Sequence, residues 1–218
     1  LRAAGVGETK GCDDRLPMTL MQVGPFRLLL WRLAAWLWRF RTLALSSYVF
    51  SHLTSPSVVR RRFLGQWLYL DVSRSSAQRL LYLEGERFVA ELSLVQSLAG
   101  VGASVVDVGA NIGYYTLLFE SAIGQSGRIV AFEPEPDNLI ELRTNIEKNG
   151  LENVEVRPFA VGSHSGVVAF ARGINGGVRG DGNPTAMDDV QVPIVTLDEA
   201  LAGRVDLIKI DVEGYEEE

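Results

Sequence analysis

The chain has 218 residues, enough for one domain of ordinary size and an additional segment. Its 47% hydrophobic and 22% charged residues are typical of a globular protein with a core. The net charge of −6 divides unevenly, since residues 1–62 carry ten basic and three acidic side chains. The acidic remainder would repel a phosphate backbone, which argues against a nucleic-acid partner. A single cysteine, Cys12, excludes an internal disulfide and suits a cytoplasmic location.

The first 62 residues differ in character from the rest of the chain. Residues 1–24 are polar and without periodicity, so we expect a disordered tail. Residues 25–62 form a basic, Trp- and Arg-rich segment, in which 25–53 predict a helix too often interrupted by arginine to span a membrane. Two interpretations remain open for this helix: peripheral contact with a membrane, or packing on the domain or a second copy of the chain.

Residues 63–218 alternate between strand and helix patterns, which predicts an α/β domain with a mainly parallel sheet and flanking helices. The pattern stops directly after a strand, so we expect the domain to be incomplete at its C-terminus. In chain order, the predicted strands are 67–70, 104–108, 128–133, 154–158, 166–172, 192–196 and 205–210. The predicted helices are 86–99, 114–123, one from Pro136 to a stop at Gly150, and a short one capped by Thr196.

The most informative motif is Val-Val-Asp-Val-Gly-Ala-Asn-Ile-Gly at 105–113. A buried strand runs into a glycine-containing turn that opens a helix, which predicts free N–H groups at the carboxyl end of the strand. Gly109 and Gly113 allow close approach of a ligand, and Asn111 tolerates left-handed dihedral angles. Asp107 adds a carboxylate for an ammonium group. A zwitterionic amino acid fits this arrangement.

Glu133 ends the next predicted strand, where a carboxylate can accept hydrogen bonds from both hydroxyls of a ribose. Pro134 keeps Glu133 extended. Together the two signals predict a site for a nucleoside with an amino-acid tail, such as S-adenosylmethionine. A nicotinamide dinucleotide is an alternative, but its fingerprint requires a third glycine where Asn111 stands. In a further interpretation, the turn only connects strand and helix.

Several motifs in order resemble those of the FkbM-type methyltransferases, over about residues 80–216. They are Val-Val-Asp-Val-Gly-Ala-Asn-Ile-Gly-Tyr-Tyr-Thr at 105–116, Phe-Glu-Pro at 132–134, Asn145 with Asn149, Val-Thr-Leu-Asp at 195–198 and Ile-Lys-Ile-Asp-Val-Glu-Gly at 208–214. The resemblance implies a class I methyltransferase fold and S-adenosylmethionine as methyl donor. It also implies a small-molecule acceptor, usually a hydroxyl of a sugar or polyketide-type metabolite.

The resemblance also implies roles for single residues. Glu133 would hold the ribose, and Phe159 and Ala160 would lie near the adenine. The chain departs from the family where an acid often follows an aromatic residue, because Val89 follows Phe88 here. The residues that would hold the methionine end are Asp107, Gly109, Ala110, Asn111 and Gly113.

Asp211 and Glu213 follow the last predicted strand and are the candidates for a catalytic base. In the alternative interpretation they cap a turn, or one of them forms a buried ion pair with Lys209. The glycine-rich segment 173–184 is either a lid over the substrate or a connection between strands. No cluster of residues with metal-ligand spacing is visible, so we predict no metal site. A module that binds S-adenosylmethionine without catalysis remains the alternative to an enzyme.

Overall fold

The computed structural model describes residues 58–84, 89–171, 178–179 and 189–212. The predicted tail, the predicted helix over 25–53, most of the glycine-rich segment and Glu213 lie outside these residues. No helix within the described ranges is long and apolar enough to cross a membrane.

The described elements follow the predicted α/β alternation. The helices are α1 Ser76–Glu84, α2 Val89–Leu98, α3 Tyr114–Ile123, α4 Pro136–Asn149 and α5 Leu197–Ala200. The strands are β1 Val58–Phe63, β2 Gln66–Asp71, β3 Ser104–Val108, β4 Arg128–Phe132, β5 Val154–Arg157, β6 Ala160–Val161, β7 Gly166–Ala171, β8 Val178–Arg179, β9 Asp189–Val195 and β10 Leu207–Ile210.

The central sheet is parallel, in the order β10-β3-β4-β5, and confirms the predicted fold class. Its two inner strands, β3 and β4, are mainly apolar because both of their faces are covered. Val108 pairs with Phe132 across β3 and β4, so the two strands end side by side. The residues that follow them, the 109–113 turn and Glu133, therefore meet at one edge of the sheet.

The strands over 166–171 and 189–195 do not join the central sheet. They pair antiparallel with each other in a second sheet, ordered β6-β9-β7-β8, where only β6 and β9 are parallel. Val168, Phe170 and Ile194 form a separate small core there. No crossover helix lies between β7 and β9 in the described residues, and antiparallel return needs none. The predicted mainly parallel sheet is thus the central one, and these strands form a second sheet.

A β-hairpin precedes the α/β repeat. Residues 58–62, assigned above to the helical extension, form most of β1 and pair with β2. Leu64 and Gly65 both have positive φ angles, 47° and 86°, as in the two-residue turns that suit the twist of a hairpin. Val59 and Phe63 are buried in the main core. Three consecutive arginines between them hide the two-residue period of the strand.

The core lies on both faces of the central sheet. On one face, Val105 and Ile129 pack with α3 and the hairpin. On the other face, Val108 and Phe132 pack with Phe159. Since side chains alternate along a strand, Asp107 lies on the same face as Val105, under the first turn of α3.

Candidate functional site

The turn between β3 and α3, residues 109–113, is called the GANIG turn below. Gly109, Asn111 and Gly113 have φ angles of 71°, 51° and 93°, so every second residue is left-handed. Asn111 is exposed and accepts the N–H of Ile112 on its own Oδ1 at 2.8 Å. The N–H of Gly113 bonds to the Ala110 carbonyl at 2.9 Å. The glycine and asparagine positions therefore follow from backbone conformation.

The two glycines also make room for other parts of the same chain. A Cβ atom at residue 109 would lie 1.9 Å from the carbonyl oxygen of Asp211. A Cβ atom at residue 113 would lie 2.8 Å from Cδ1 of Leu142, on α4. The close neighbours of the two glycines are thus the segment after β10 and a helix side chain, and a role for either glycine in the approach of a ligand stays a prediction.

The remaining N–H groups of the turn bond to residues at the end of β4. The carbonyl of Phe132 accepts the N–H groups of Gly109 and Ala110 at 3.0 and 2.9 Å. The Glu133 carboxylate accepts the N–H of Asn111 at 2.7 Å. All five N–H groups of the turn thus have acceptors within the protein. Within the turn the expectation of free N–H groups was wrong, because oxygens at the end of β4 accept three of them and oxygens of the turn itself accept the other two.

Glu133 is 4% exposed and is surrounded by donors. Besides Asn111, it accepts the N–H of Glu135 at 2.9 Å and the side-chain amide of Asn138 at 3.4 Å. Burial raises the pKa of Glu133 to about 7, against the opposing effect of these donors. A carboxylate has about four acceptor positions. Three of these positions are occupied, and one remains for a ligand. To accept hydrogen bonds from two ribose hydroxyls, Glu133 would have to lose its hydrogen bond from Asn138, the longest of the three.

Asp107 is fully buried and already faces an ammonium group, that of Lys209. The Lys209 Nζ lies 3.2 Å from Oδ1 of Asp107, and the Thr116 hydroxyl donates to Oδ2 at 2.7 Å. Burial raises the pKa of Asp107, while Lys209 and Thr116 act to lower it. Direct contact between Asp107 and a ligand amine therefore remains a prediction.

Lys209 is a charged residue in an otherwise apolar strand, and the polar contacts of its ammonium explain how it fits there. Its ammonium donates to the carbonyls of Val108 and Gly109 at 3.2 and 2.9 Å, in addition to the ion pair with Asp107. Asp211, one of the partners expected above, is farther away at 3.8 Å and its side chain is 61% exposed. The predicted ion pair is present, but its nearer partner is an acid that sequence reasoning had assigned to the ligand.

An acid missed as a site residue lies beside the first turn of α3, which follows the GANIG turn. Glu91, on α2, is close to the hydroxyl of Tyr115 in the first turn of α3. Burial and this carboxylate together raise the pKa of Tyr115 to about 12. Oε2 of Glu91 is buried without a hydrogen-bond partner in the described part of the chain. Its position two residues after Val89 is the only sequence signal that could have pointed to it.

The two residues predicted near the adenine are adjacent in the chain but pack in different clusters. Phe159 is partly buried against the cluster that contains Val108 and Phe132, at the ends of β3 and β4. Ala160 begins β6 and packs in the core of the second sheet. Phe159 is therefore well placed at the strand ends, and a role for Ala160 stays a prediction.

Comparison with known protein families identifies the family of this chain. The family model described as the methyltransferase FkbM domain matches residues 107–218, from Asp107 of β3 onward. The chain belongs to the FkbM methyltransferase family. Membership confirms the resemblance seen in the motifs, and with it the class I α/β fold and S-adenosylmethionine as the family's methyl donor. No curated protein matches this FkbM chain significantly.

Solved structures similar to this FkbM chain include P. horikoshii TYW2 in complex with MeSAdo, at 23% identity and a TM-score of 0.38 over 49% of this chain and 37% of that one. M. jannaschii TYW2 in complex with AdoMet is 22% identical, with a TM-score of 0.38 over 47% of this chain and 43% of that one. A SAM-dependent methyltransferase from Aquifex aeolicus is 28% identical, with a TM-score of 0.30 over 32% and 37%. The chain thus spans less than half the length of these proteins.

The residues present fit a cationic donor such as S-adenosylmethionine. Asp107, Glu133 and Asp211 place three carboxyl groups at the GANIG turn, and Glu91 adds a fourth beside Tyr115, against the ammonium of Lys209 among the described residues. The orphaned Oε2 of Glu91 and the last acceptor position of Glu133 can each take a hydrogen bond from a ligand. The carboxylates beside the turn of this FkbM chain thus offer acceptors to a cationic ligand.

Proposed function

We propose that this protein is an S-adenosylmethionine-dependent methyltransferase that methylates a hydroxyl group of a small molecule, of sugar or polyketide type. The observation that carries the proposal is the hydrogen bond between the two strand ends, in which Glu133, directly after β4, accepts the N–H of Asn111 in the GANIG turn. Ligands of open α/β sheets bind at such strand ends. The acidic charge of residues 63–218 supports a small acceptor over a nucleic acid. We propose a cytoplasmic location on the basis of the single cysteine.

When bound, S-adenosylmethionine supplies a methyl group on a positively charged sulfur, which is already an activated leaving group. The protein's main task is then to align donor and acceptor, which can contribute about 7–11 kcal/mol to catalysis. Glu133 and the exposed tip of the turn at Asn111 are the groups proposed to orient the donor. Phe159 supplies an apolar surface at the same strand ends.

An acceptor hydroxyl must lose its proton when its oxygen forms the new bond to carbon. Asp211 is the described candidate for that proton, since its carboxylate is 61% exposed and its backbone carbonyl borders Gly109. A general base contributes about 10²–10⁴-fold to rate. The second candidate, Glu213, lies outside the described residues.

Titration calorimetry of the full chain with S-adenosylmethionine tests the donor site. In E133Q we expect affinity to fall about tenfold to a hundredfold, the worth of a hydrogen bond to a charged group. E141Q is the matched control, because Glu141 is also a buried carboxylate but holds Arg74 and Gln78 rather than the turn. Equal affinity in wild type and E133Q would overturn the proposed site.

Transfer of the methyl group to an acceptor is tested in a separate experiment. The full chain is incubated with methyl-labelled S-adenosylmethionine and panels of sugars, polyketide-type alcohols and RNA, and the products are analysed by mass spectrometry. Label on a small-molecule hydroxyl supports the proposal. Label on RNA contradicts the proposed acceptor class, and tight binding of the donor without transfer to any panel favours a non-catalytic binding module.

A further inference from the structure

Asn145 of α4 joins two parts of the molecule that are distant in sequence. Its side chain is fully buried. Its Nδ2 donates to the carbonyl of Ile112 in the GANIG turn at 2.8 Å and to the carbonyl of Tyr69 in β2 at 3.1 Å. Its Oδ1 accepts the N–H of Tyr69 at 2.7 Å. The three bonds use both amide hydrogens and one acceptor position of Asn145.

Asn149, one helical turn later, makes the same kind of contact with β2 but none with the turn, and its Nδ2 also donates to the Asn145 carbonyl at 2.7 Å. Its Oδ1 accepts the N–H of Trp67 at 2.8 Å, and its Nδ2 donates to the Trp67 carbonyl at 2.7 Å. Residues four apart on a helix are about 6 Å apart, close to the spacing of two residues along a strand. The two amides of α4 therefore satisfy the free edge of β2 as a neighbouring strand would.

The bond to Ile112 restrains one peptide plane of the GANIG turn from outside. The carbonyl of Ile112 and the N–H of Gly113 belong to the same rigid peptide unit. Asn145 holds the carbonyl, and the Ala110 carbonyl holds the N–H at 2.9 Å. With both ends of the plane bonded, the peptide cannot rotate, and the left-handed conformation of Gly113 is kept.

We propose that Asn145 is a positioning residue for the donor site: it ties the GANIG turn to the β1–β2 hairpin and so keeps the turn in its binding conformation. The part of this inference that concerns donor affinity rests on the proposed function. The hairpin precedes the residues matched by the family model, which begin at Asp107. A segment outside the matched domain thereby helps to shape the turn inside it.

The substitution N145D tests the proposal, with N149D as the matched control. Both replace an amide by an isosteric carboxylate and remove the donors to β2, but only N145D removes the donor to Ile112. Backbone hydrogen exchange of the ligand-free chain is measured first. We expect faster exchange over 111–113 in N145D alone, while the N–H groups of Tyr69 and Trp67, which keep an oxygen acceptor in both variants, serve as the reference.

Affinity for S-adenosylhomocysteine, measured by calorimetry, is the second readout. We expect about a tenfold loss in N145D relative to N149D, the worth of one hydrogen bond that keeps the turn in place. Equal exchange over 111–113 in the two variants, or equal affinity, overturns the positioning role. If the wild-type chain does not bind S-adenosylhomocysteine, the proposed function fails. The exchange data then still test whether Asn145 restrains the GANIG turn. Should N145D not fold, N145S and N149S replace the pair.

Discussion

The side-chain carboxylate of Glu133 accepts the backbone N–H of Asn111 at 2.7 Å, which joins the end of β4 to the turn after β3. Sequence reasoning assigned this carboxylate to a ligand, and the structure shows that it also holds the protein's own backbone. Because burial raises the pKa of Glu133 to about 7, a group that titrates near neutral pH holds the proposed donor site.

Glu133 should make the stability of the protein depend on pH. Its pKa is about 7 in the folded chain, against 4.5 for an unperturbed glutamate side chain, so the folded state keeps the proton longer. Stability therefore falls as pH rises from about 4.5 to 7, by at most about 3 kcal/mol. Urea unfolding at pH 5 and pH 8 measures the fall. E133Q should show a smaller fall than wild type, and parallel pH profiles would contradict the assignment.

Gly109 should tolerate alanine less well than a glycine with similar dihedral angles. Gly150 has a φ of 65° and open space around it, so G150A costs only the left-handed strain, about 1–2 kcal/mol. G109A adds the clash with the Asp211 carbonyl and should cost roughly 1–3 kcal/mol more. Free energies of unfolding for the two variants give the comparison. Similar values would mean that the segment after β10 does not pack on the turn.

The pair Asp107 and Lys209 should be strongly coupled. K209M leaves the buried carboxylate without its cation, which is expected to cost about 3–5 kcal/mol at pH 7. D107N with K209M should cost much less than the sum of the single changes, as a double-mutant cycle would measure. Burial raises the pKa of Asp107, so the defect of K209M should shrink as pH falls and the acid is protonated. Additive costs would show that the ion pair contributes nothing.

Asn111 should be replaceable by glycine at a lower cost than by alanine. Both changes remove the bond from Oδ1 to the N–H of Ile112, but only alanine is strained at a φ of 51°. We expect N111A to be less stable than N111G by about 1 kcal/mol. Thermal unfolding of the two variants is sufficient to measure the difference. Equal midpoints would indicate that residue 111 is not left-handed in solution.

Much of the local structure could be predicted from neighbouring residues. The strand over 104–108 and the helix over 114–123 agree with their predicted bounds, and Pro136 and Gly150 mark the two ends of α4 as expected. Thr196 caps α5 through the N–H of Glu199. These features depend on signals only a few residues apart, such as apolar runs, caps and breakers, which act whatever the rest of the chain does.

Strand pairing was harder to predict from the sequence than the elements themselves. β1 was missed because Arg60, Arg61 and Arg62 interrupt the pattern, and the antiparallel pairing of β7 with β9 in a second sheet was not predicted. A run of alternating residues indicates a strand but not its partner, since pairing depends on which apolar faces meet in the core.

By itself, the sequence determined the α/β order of elements, the glycine-containing turn after β3, and the family that these motifs resemble. Only the tertiary structure decided what each polar side chain in the site bonds to. Lys209 reaches a carbonyl 101 residues away, and Asn145 bonds to a strand 76 residues before it. A buried polar group must form hydrogen bonds with the groups that packing places next to it. Those groups come from distant parts of the chain, so neighbouring residues in the sequence do not predict them.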